Sequence, residues 1–337
     1  MRDILAWLIC ATIGTASAPG VGAQVTADEN AALRYLRAYS LIRESDAERI
    51  AELWDAQQVG EPWLENDANT SWLERKDDTI ALLVKASRMV EADFGIDYDE
   101  GIEALLTHLA PMRQSARLAL LRGEADLDEG DARSAIEHAA SALRMAEHIT
   151  DDRVIISSLV SLSIFEEAAE FIERAHEDGA LMNTDTSPLR EALARFDRGD
   201  PFGVITSLES EAQIVGDWAH RELSSLSKPE REALVLNVVN TRPEDLSEEG
   251  RAFLERIETE DGLDREIASY KLYYRQTIDA WDEPDAEQRL RELREGVREG
   301  VFGAISYYMV PALGRLYRQD MEARARIREL AEMVGTG

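Results

Sequence analysis

Histidine and carboxylate pairs at helical spacing are the first candidates for chemistry in this sequence. Glu173 precedes His176 by three positions, and Asp217 precedes His220 by the same interval. This spacing puts two ligands on one helix face, as in the di-iron sites of helical bundles, which also need inward carboxylates from two further helices. Because 67 of the 337 residues are Asp or Glu, composition alone accounts for both pairs. We interpret them as solvated charges.

An acidic turn in the first half of the chain imitates a calcium-binding loop. Asp126, Asp128 and Glu137 are spaced like EF-hand ligands, but Asp131 stands at the sixth position, where the loop needs glycine, and Gly130 stands at the fifth. A tight turn followed by a helix cap explains the same residues, since glycine adopts unusual backbone angles and aspartate accepts from the first amides of a helix. We therefore predict a helical hairpin. On this interpretation, replacing Asp126 should change stability little.

Short catalytic motifs are absent from the sequence. It has no Gly-Lys phosphate loop, no GxSxG nucleophile elbow and no HExxH zinc motif. Four serines between positions 157 and 163 lie in an apolar segment, where hydroxyls usually bond carbonyls of the preceding turn. The five histidines stand at positions 108, 138, 148, 176 and 220. We assign no catalytic or metal-binding residue from the sequence and predict no cofactor.

Aromatic residues suggest a groove for sugars or peptides, or a packed core. Trp54 continues an apolar stripe with Ile50 and Leu53, and the tyrosines near position 272 lie at helical spacing. Such stripes are typical of cores, and we predict core positions for these side chains. The residues concerned are Trp54, Trp63, Trp72, Trp218, Trp281, Tyr270, Tyr273 and Tyr274.

The elements that position all these residues are predicted to be helices. Prolines number only nine and glycines twenty, and no stretch alternates with period two as a strand would. We predict an all-α fold, an irregular stack of antiparallel helical hairpins of the α-solenoid or multi-helical bundle kind. The predicted helices are 28–43, 46–58, 72–92, 100–109, 112–128, 131–149, 152–177, 188–197, 201–224, 229–239, 248–259, 263–281, 285–298 and 300–332.

Local signals indicate where some of these helices begin and break. Ser45 with Glu48, and Ser71 with Glu74, have the spacing of capping boxes. Pro311 is predicted to kink or break the last helix. The uncharged stretch from 300 to 314 around it is too short to span a membrane and is predicted to pack in the core.

The segment from Met112 to Ile149 is the clearest hairpin. It resembles a tetratricopeptide repeat, because Gly123, Gly130, Ala135 and Ala142 match the small-residue positions of that motif. The large aromatic positions of the motif hold alanine or aspartate here, and no second copy follows at the required period. The resemblance implies one helical hairpin and no regular repeat array.

Three features together resemble a group of exported, all-helical proteins of planctomycete-type bacteria. They are the Gly130-Asp131 turn, the apolar helix that begins near Val154, and the segment from Tyr307 to Arg315. The resemblance implies a helical fold and export, and it implies no activity.

Composition and charge restrict the class of partner. With 45% hydrophobic and 31% charged residues, the chain is typical of a soluble globular protein. Its formal charge of −30 repels nucleic-acid phosphates and anionic lipids, so both are excluded as partners. Two explanations of the acidity stay open: adaptation to a salty environment, and an acidic surface that attracts a basic partner.

The first 23 residues have the pattern of a secretory signal peptide. Arg2 precedes an apolar stretch, and small residues follow up to Ala23. We expect a periplasmic or extracellular protein whose residues 24–337 form one helical body, with a subdivision near 180–187 as the alternative. Because Cys10 is the single cysteine, the mature chain would contain none, and no membrane span would remain.

The sequence favours a non-catalytic, exported helical protein that presents a groove to a protein or peptide partner. Helical stacks create such concave surfaces, and the chain offers no catalytic constellation. The alternative is an envelope enzyme whose site is assembled from dispersed carboxylates and histidines. A pocket containing a histidine and two or more carboxylates would favour the enzyme, and a smooth groove would favour the binding protein.

We predict that the exported protein is cleaved after Ala23 or Ala18, because small residues occupy the positions that signal peptidases select. N-terminal sequencing of the mature protein tests this prediction. Recovery of intact Met1 in the membrane fraction would contradict it.

Overall fold

The computed structural model describes residues 30–238, 242–245, 248–311 and 313–335. Within these ranges the protein is all-α, as predicted, and contains no strand beyond one isolated bridge between Asn30 and Glu91. The predicted signal peptide, with Cys10, lies outside the described residues. The helices are α1 (Ala31–Tyr39), α2 (Glu44–Gln58), α3 (Asp67–Glu74), α4 (Asp77–Ser87), α5 (Leu109–Asp128), α6 (Ala132–His148), α7 (Ile155–Glu177), α8 (Ser187–Ala194), α9 (Val204–Ser225), α10 (Lys228–Val238), α11 (Glu248–Arg256), α12 (Glu260–Ala280), α13 (Ala286–Arg298), α14 (Gly303–Met309) and α15 (Leu313–Gly335).

The predicted hairpin is confirmed as α5 and α6, which pack against each other along their length. Gly130 turns the chain with a φ of +81°. Asp131 caps α6, because its carboxylate accepts from the Ser134 amide at 3.1 Å and from the Ser134 hydroxyl at 2.7 Å. The cap pairs one amide that the first helical turn leaves free.

Helix α7 packs against this hairpin and lies at the centre of the described structure. It contacts α5, α6, α9 and α15. A Cβ at Gly123 of α5 would lie 3.0 Å from the Phe171 ring of α7, so glycine permits the close approach. Phe165 of α7 joins Phe196 and Phe202 in a ring cluster with centroids 5.1 to 5.3 Å apart. Helix α7 is buried on most sides, which agrees with the nearly continuous apolar surface of its sequence.

The C-terminal helices return to α7. Helix α15 packs against α7 and α8, and Arg326 of α15 pairs with Glu166 and Glu173 of α7. The Thr186 hydroxyl, in the segment between α7 and α8, donates to the Val334 carbonyl at 2.8 Å. These contacts tie the end of the chain to its centre.

The predicted break at Pro311 is confirmed, since α14 ends at Met309 and α15 begins at Leu313. Phe302, Ile305 and Leu313 of the uncharged stretch around the break are buried in the core, as expected, whereas Val301 and Tyr307 of the same stretch are exposed. Within the described part of the chain, no helix combines the length and apolarity that a membrane crossing requires.

Two predicted helices are wrong. The segment 72–92 forms the end of α3 and a separate helix, α4, with Asp77 and Asp78 in the first turn of α4. Residues 98–103 form a 3-10 turn instead of an α-helix. Gly101 in this turn has a φ of +58°, and the Trp218 ring occupies the space that a Cβ would need. Packing against α9 therefore overrides the helical pattern of this segment.

Both predicted capping boxes are also wrong. Helix α2 begins one residue before Ser45, and the Asp46 carboxylate accepts from the Arg43 amide at 3.0 Å. Ser71 lies inside α3, whose cap is Asn66. Asp46 also pairs with Lys76 and accepts from the Trp72 indole, and these long-range contacts favour Asp46 as the capping group.

We predict that Asp131→Ala lowers the free energy of unfolding by about 0.5–2 kcal/mol, because an amide at the start of α6 loses its partner. The loss should be the same with calcium and with a chelator. Asp131→Asn, which keeps a capping oxygen, is the matched control and should remain near wild type. Thermal melts measure all three proteins, and a wild-type melt that falls on chelation would indicate a calcium loop instead.

Candidate functional site

An apolar groove lies between α9, α10, α11 and α14. The cavity within it measures about 50 Å³ and is lined by apolar side chains throughout. Its lining residues include Trp218, Leu223, Leu234, Phe253, Ile305 and Met309. Leu234 and Met309 are half-buried at its edge, so the groove is partly open to solvent.

Helix α9 supplies one wall of the groove through a regular stripe. Val215, Trp218, Ala219 and Leu223 lie at positions i, i+3, i+4 and i+8, which places them on one helix face. The turn at Gly101 packs against Trp218, and its missing Cβ leaves room for the indole. The wall is therefore held by a segment more than a hundred residues away in sequence.

Polar contacts position the other helices of the groove. The Arg231 guanidinium of α10 donates to the Leu226 carbonyl at 3.0 Å and to the Ile257 carbonyl at 2.7 Å, which connects the ends of α9 and α11. The buried Glu266 carboxylate of α12 accepts from the Ala304 amide at 2.7 Å and caps α14. A Cβ at Gly303, whose φ is +75°, would clash with Glu266. Glycine at position 303 therefore permits this cap.

Carboxylates dominate the charge near the start of α10. Lys228 pairs with Glu258, and Glu232 and Glu255 also act on its ammonium group. The hydrogen bond and the charge of Glu258 raise the pKa of Lys228. With the Arg231 guanidinium also at this end of α10, three carboxylates and two cations leave a formal charge of −1 here. This region lies about 10 Å along α10 from Val235 in the groove.

A second group of polar residues, around His108, is enclosed in the core. The His108 ring lies 2.7 Å, Nε2 to Oδ2, from the Asp152 carboxylate and stacks on Phe94 with centroids 4.0 Å apart. The Ser157 hydroxyl donates to the same carboxylate oxygen at 2.9 Å. A hydrolytic triad places histidine between serine and aspartate, whereas here the aspartate lies between the other two. The arrangement therefore ties α7 to the segment before α5.

His148 is buried in a different polar group, beside α1 and α8. Because the Met89 carbonyl only accepts, Nε2 of His148 carries the proton that it donates at 3.0 Å. Nδ1 then accepts from the Tyr35 hydroxyl at 2.9 Å. Burial, together with the charges of Arg195 and Arg144, lowers the pKa of His148 to about 4. The ring is neutral at pH 7 and serves as a bridge between helices.

In the two histidine and carboxylate pairs singled out in the sequence, each carboxylate binds a cation from another helix. Glu173 binds Arg326, and His176 is exposed. Asp217 binds Lys271 at 3.0 Å, and His220 lies 3.4 Å from Asp264. Across the described residues, no group of three or more histidine or acidic side chains converges as metal ligands would.

The residues of the acidic turn diverge in the same way. Asp131 caps α6, and Glu137 pairs with Arg88 and Arg144, each at 3.0 Å. Asp128 is exposed. The turn therefore brings these carboxylates to separate partners.

Asp126, the remaining acid of the turn, is buried. It pairs with Arg122 at 2.8 Å and with His138 at 3.2 Å. Asp126 lies outside the cap, as expected, but the expectation that replacing it changes little overlooked its burial. Alanine would remove a buried carboxylate that contacts both Arg122 and the His138 ring.

The aromatic candidates are core residues, as predicted. Trp54, Trp63, Trp218, Trp281 and the three tyrosines of α12 are buried, and Trp72 is half-buried. Trp218 also faces the groove, so one of these residues belongs to both the core and the candidate site. Sequence periodicity predicted that Trp218 is buried. It did not predict the groove, because the groove forms between helices as far apart in the sequence as α9 and α14.

Sequence reasoning also missed Glu211, a carboxyl group of α9 that caps α7. It accepts from the Ile155 amide at 3.0 Å. The carboxyl end is enclosed although the residue as a whole is half-buried, and this burial raises the pKa of Glu211 to about 7. The charge of Glu211 also acts on the buried hydroxyls of Tyr270 and Tyr274 of α12. The contact joins residues 56 positions apart, so no local sequence motif indicates it.

Comparison with protein-family models, with curated proteins and with solved structures gives no match to this chain.

We predict that Glu211→Gln stabilises the protein at pH 7 and above. The unfolded chain ionises this residue near pH 4.5 and the folded chain near pH 7, so ionisation opposes folding increasingly between these two values. The variant should gain roughly 1–3 kcal/mol over wild type at pH 8 and nothing at pH 4. Urea unfolding across this range measures the difference.

The exposed Glu209 of the same helix provides the control, as Glu209→Gln should leave the pH dependence unchanged. Comparing each variant with wild type at the same pH cancels other titrating groups, among them His148. An equal difference between Glu211→Gln and wild type at pH 4 and at pH 8 would contradict the assignment.

Proposed function

We propose that this is a non-catalytic, exported helical protein whose groove binds an apolar segment of a protein or peptide partner that also carries Lys or Arg. The observation that carries the proposal is an apolar groove close to a cluster of carboxylates. Its apolar lining supplies the affinity, and the carboxylates select the charge of the partner.

The dimensions of the groove favour side chains over small molecules as its occupants. Pockets for metabolites typically enclose about 300–1,000 Å³ and contain a few converging polar groups. The groove has a cavity of about 50 Å³ and an apolar lining. Protruding apolar side chains of a helix or extended peptide suit such a surface, in the manner of helix-in-groove recognition.

The charge distribution favours a basic partner. Glu232, Glu255 and Glu258 surround Lys228 at the start of α10, and the whole chain carries −30. A Lys or Arg side chain next to the bound apolar residues would be attracted both by this cluster and by the field of the molecule. An acidic segment with the same apolar residues would be repelled.

The alternative, an envelope enzyme, draws less support from the described residues. His108 contacts one carboxylate, that of Asp152, and both side chains are enclosed in the core. Neither faces the groove. The polar group around them connects helices, which is a structural role.

Two synthetic amphipathic peptides test the proposal. They share the same leucine positions and differ in carrying arginine or glutamate at every polar position. Isothermal titration calorimetry should detect binding of the arginine peptide and none of the glutamate peptide. Binding should weaken as salt rises, since exposed charges are screened beyond about 10 Å at 0.1 M ionic strength.

A matched pair of variants locates the binding site. Met309→Glu places a charge in the groove and should weaken binding of the arginine peptide at least about tenfold, which corresponds to about 1.4 kcal/mol of binding free energy. Met182→Glu makes the same change at a side chain that is 69% exposed elsewhere and should bind like wild type. Equal binding by both variants, or equal binding of the two peptides, would contradict the proposal.

A further inference from the structure

The outer face of α1 is an exposed surface of leucine and arginine. Leu33, Leu36 and Leu41 are 47–48% exposed, although large apolar side chains are otherwise mostly buried in this protein. Leu33 and Leu36 lie on one face of α1, and Leu41 follows in the next turn. The opposite face, with Tyr35 and Ala38, is in the core. The helix is therefore anchored, and its leucines point outward.

This surface is also basic in an otherwise acidic chain. From Asn30 to Arg43 the sequence has three arginines and no acidic residue, against a formal charge of −30 for the whole. Arg37 is exposed and Arg34 is half-buried. Neither forms an ion pair with another described residue, whereas most arginines of α5 to α9 do. We call Leu33, Arg34, Leu36, Arg37 and Leu41 the α1 surface.

We propose that the α1 surface binds the groove of a second copy of this chain. The inference rests on the proposed function, because the groove is the same site. The α1 surface has the chemistry assigned above to the partner: protruding apolar side chains with arginines between them. Its leucines match the apolar lining, and its arginines match the carboxylates around Lys228.

The contact links copies head to tail. An isologous pairing of α1 with α1 would place arginines against arginines, which repel each other. In the heterologous arrangement each copy uses its α1 surface on one neighbour and its groove on another. Assembly then continues, either until a ring closes or as an open chain. The mass of the assembly should therefore rise with protein concentration.

An anionic membrane is a different occupant for a leucine and arginine surface. The charge of the remaining chain opposes approach to anionic lipid and to a second copy alike, but a second copy also offers an apolar groove that the leucines fit. Vesicles of anionic phospholipid are therefore included in the test.

The experiment measures mass by light scattering after size-exclusion chromatography, at several protein concentrations and at low and high salt. The wild type should form assemblies that grow with concentration and dissociate at high salt. Leu36→Glu, on the α1 surface, and Met309→Glu, in the groove, should each be monomeric alone. Met182→Glu is again the control, because Met182 is 69% exposed outside both surfaces, and this variant should assemble like wild type.

Mixing the two monomeric variants gives the sharper result. Leu36→Glu retains an intact groove and Met309→Glu retains an intact α1 surface, so a 1:1 mixture should form one heterodimer and nothing larger. Circular dichroism confirms that each variant is folded. The arginine peptide should still bind Leu36→Glu, whose groove is unchanged.

A wild type that stays monomeric at every concentration would overturn self-association. If the arginine peptide still bound it, the proposed function would stand. A mixture that fails to dimerise, or single variants that assemble like wild type, would also overturn the proposal. Binding of wild type but not of Leu36→Glu to anionic vesicles would assign the α1 surface to a membrane instead.

Discussion

Close packing of small residues between α5, α6 and α7 is the constraint on which the rest of the structure depends. Gly123 allows the Phe171 ring of α7 to approach α5. On α6, which packs against α5, four alanines are fully buried: Ala135, Ala139, Ala142 and Ala146. The other helices assemble on this centre, with α4 against α6, and α9 and α15 against α7. Since the single cysteine of the chain cannot form an internal disulfide, packing of this kind must supply the stability.

The acidity of the chain has a structural use as well as a surface effect. Carboxylates cap helices from within a turn, as Asp131 does for α6, and from distant helices, as Glu211 does for α7 and Glu266 for α14. Asp200 similarly accepts from two amides at the start of α9. Each carboxylate satisfies donors that a helix start leaves free and lies at the positive end of the helix dipole.

The same charge pattern frames the functional proposals. An apolar groove beside carboxylates and an α1 surface of leucine and arginine are complementary in both polarity and charge. A partner for the groove need not be a different protein, since the chain itself carries a matching surface. The polar groups around His108 and His148, by contrast, are enclosed and satisfied within the core, so they explain how helices are joined and not how a substrate would be handled.

The sequence by itself determined the features that rest on local signals. These are the all-α class, the hairpin at Gly130 and Asp131, the burial of α7 and the break near Pro311, because periodicity, capping and proline act within a few residues. Only the tertiary structure decided that residues 98–103 form a turn beneath Trp218, that Glu211 caps α7, and that four helices enclose a groove. Each of these depends on contacts between residues far apart in the chain, whose pairing is selected by the packing of the whole and leaves no local pattern.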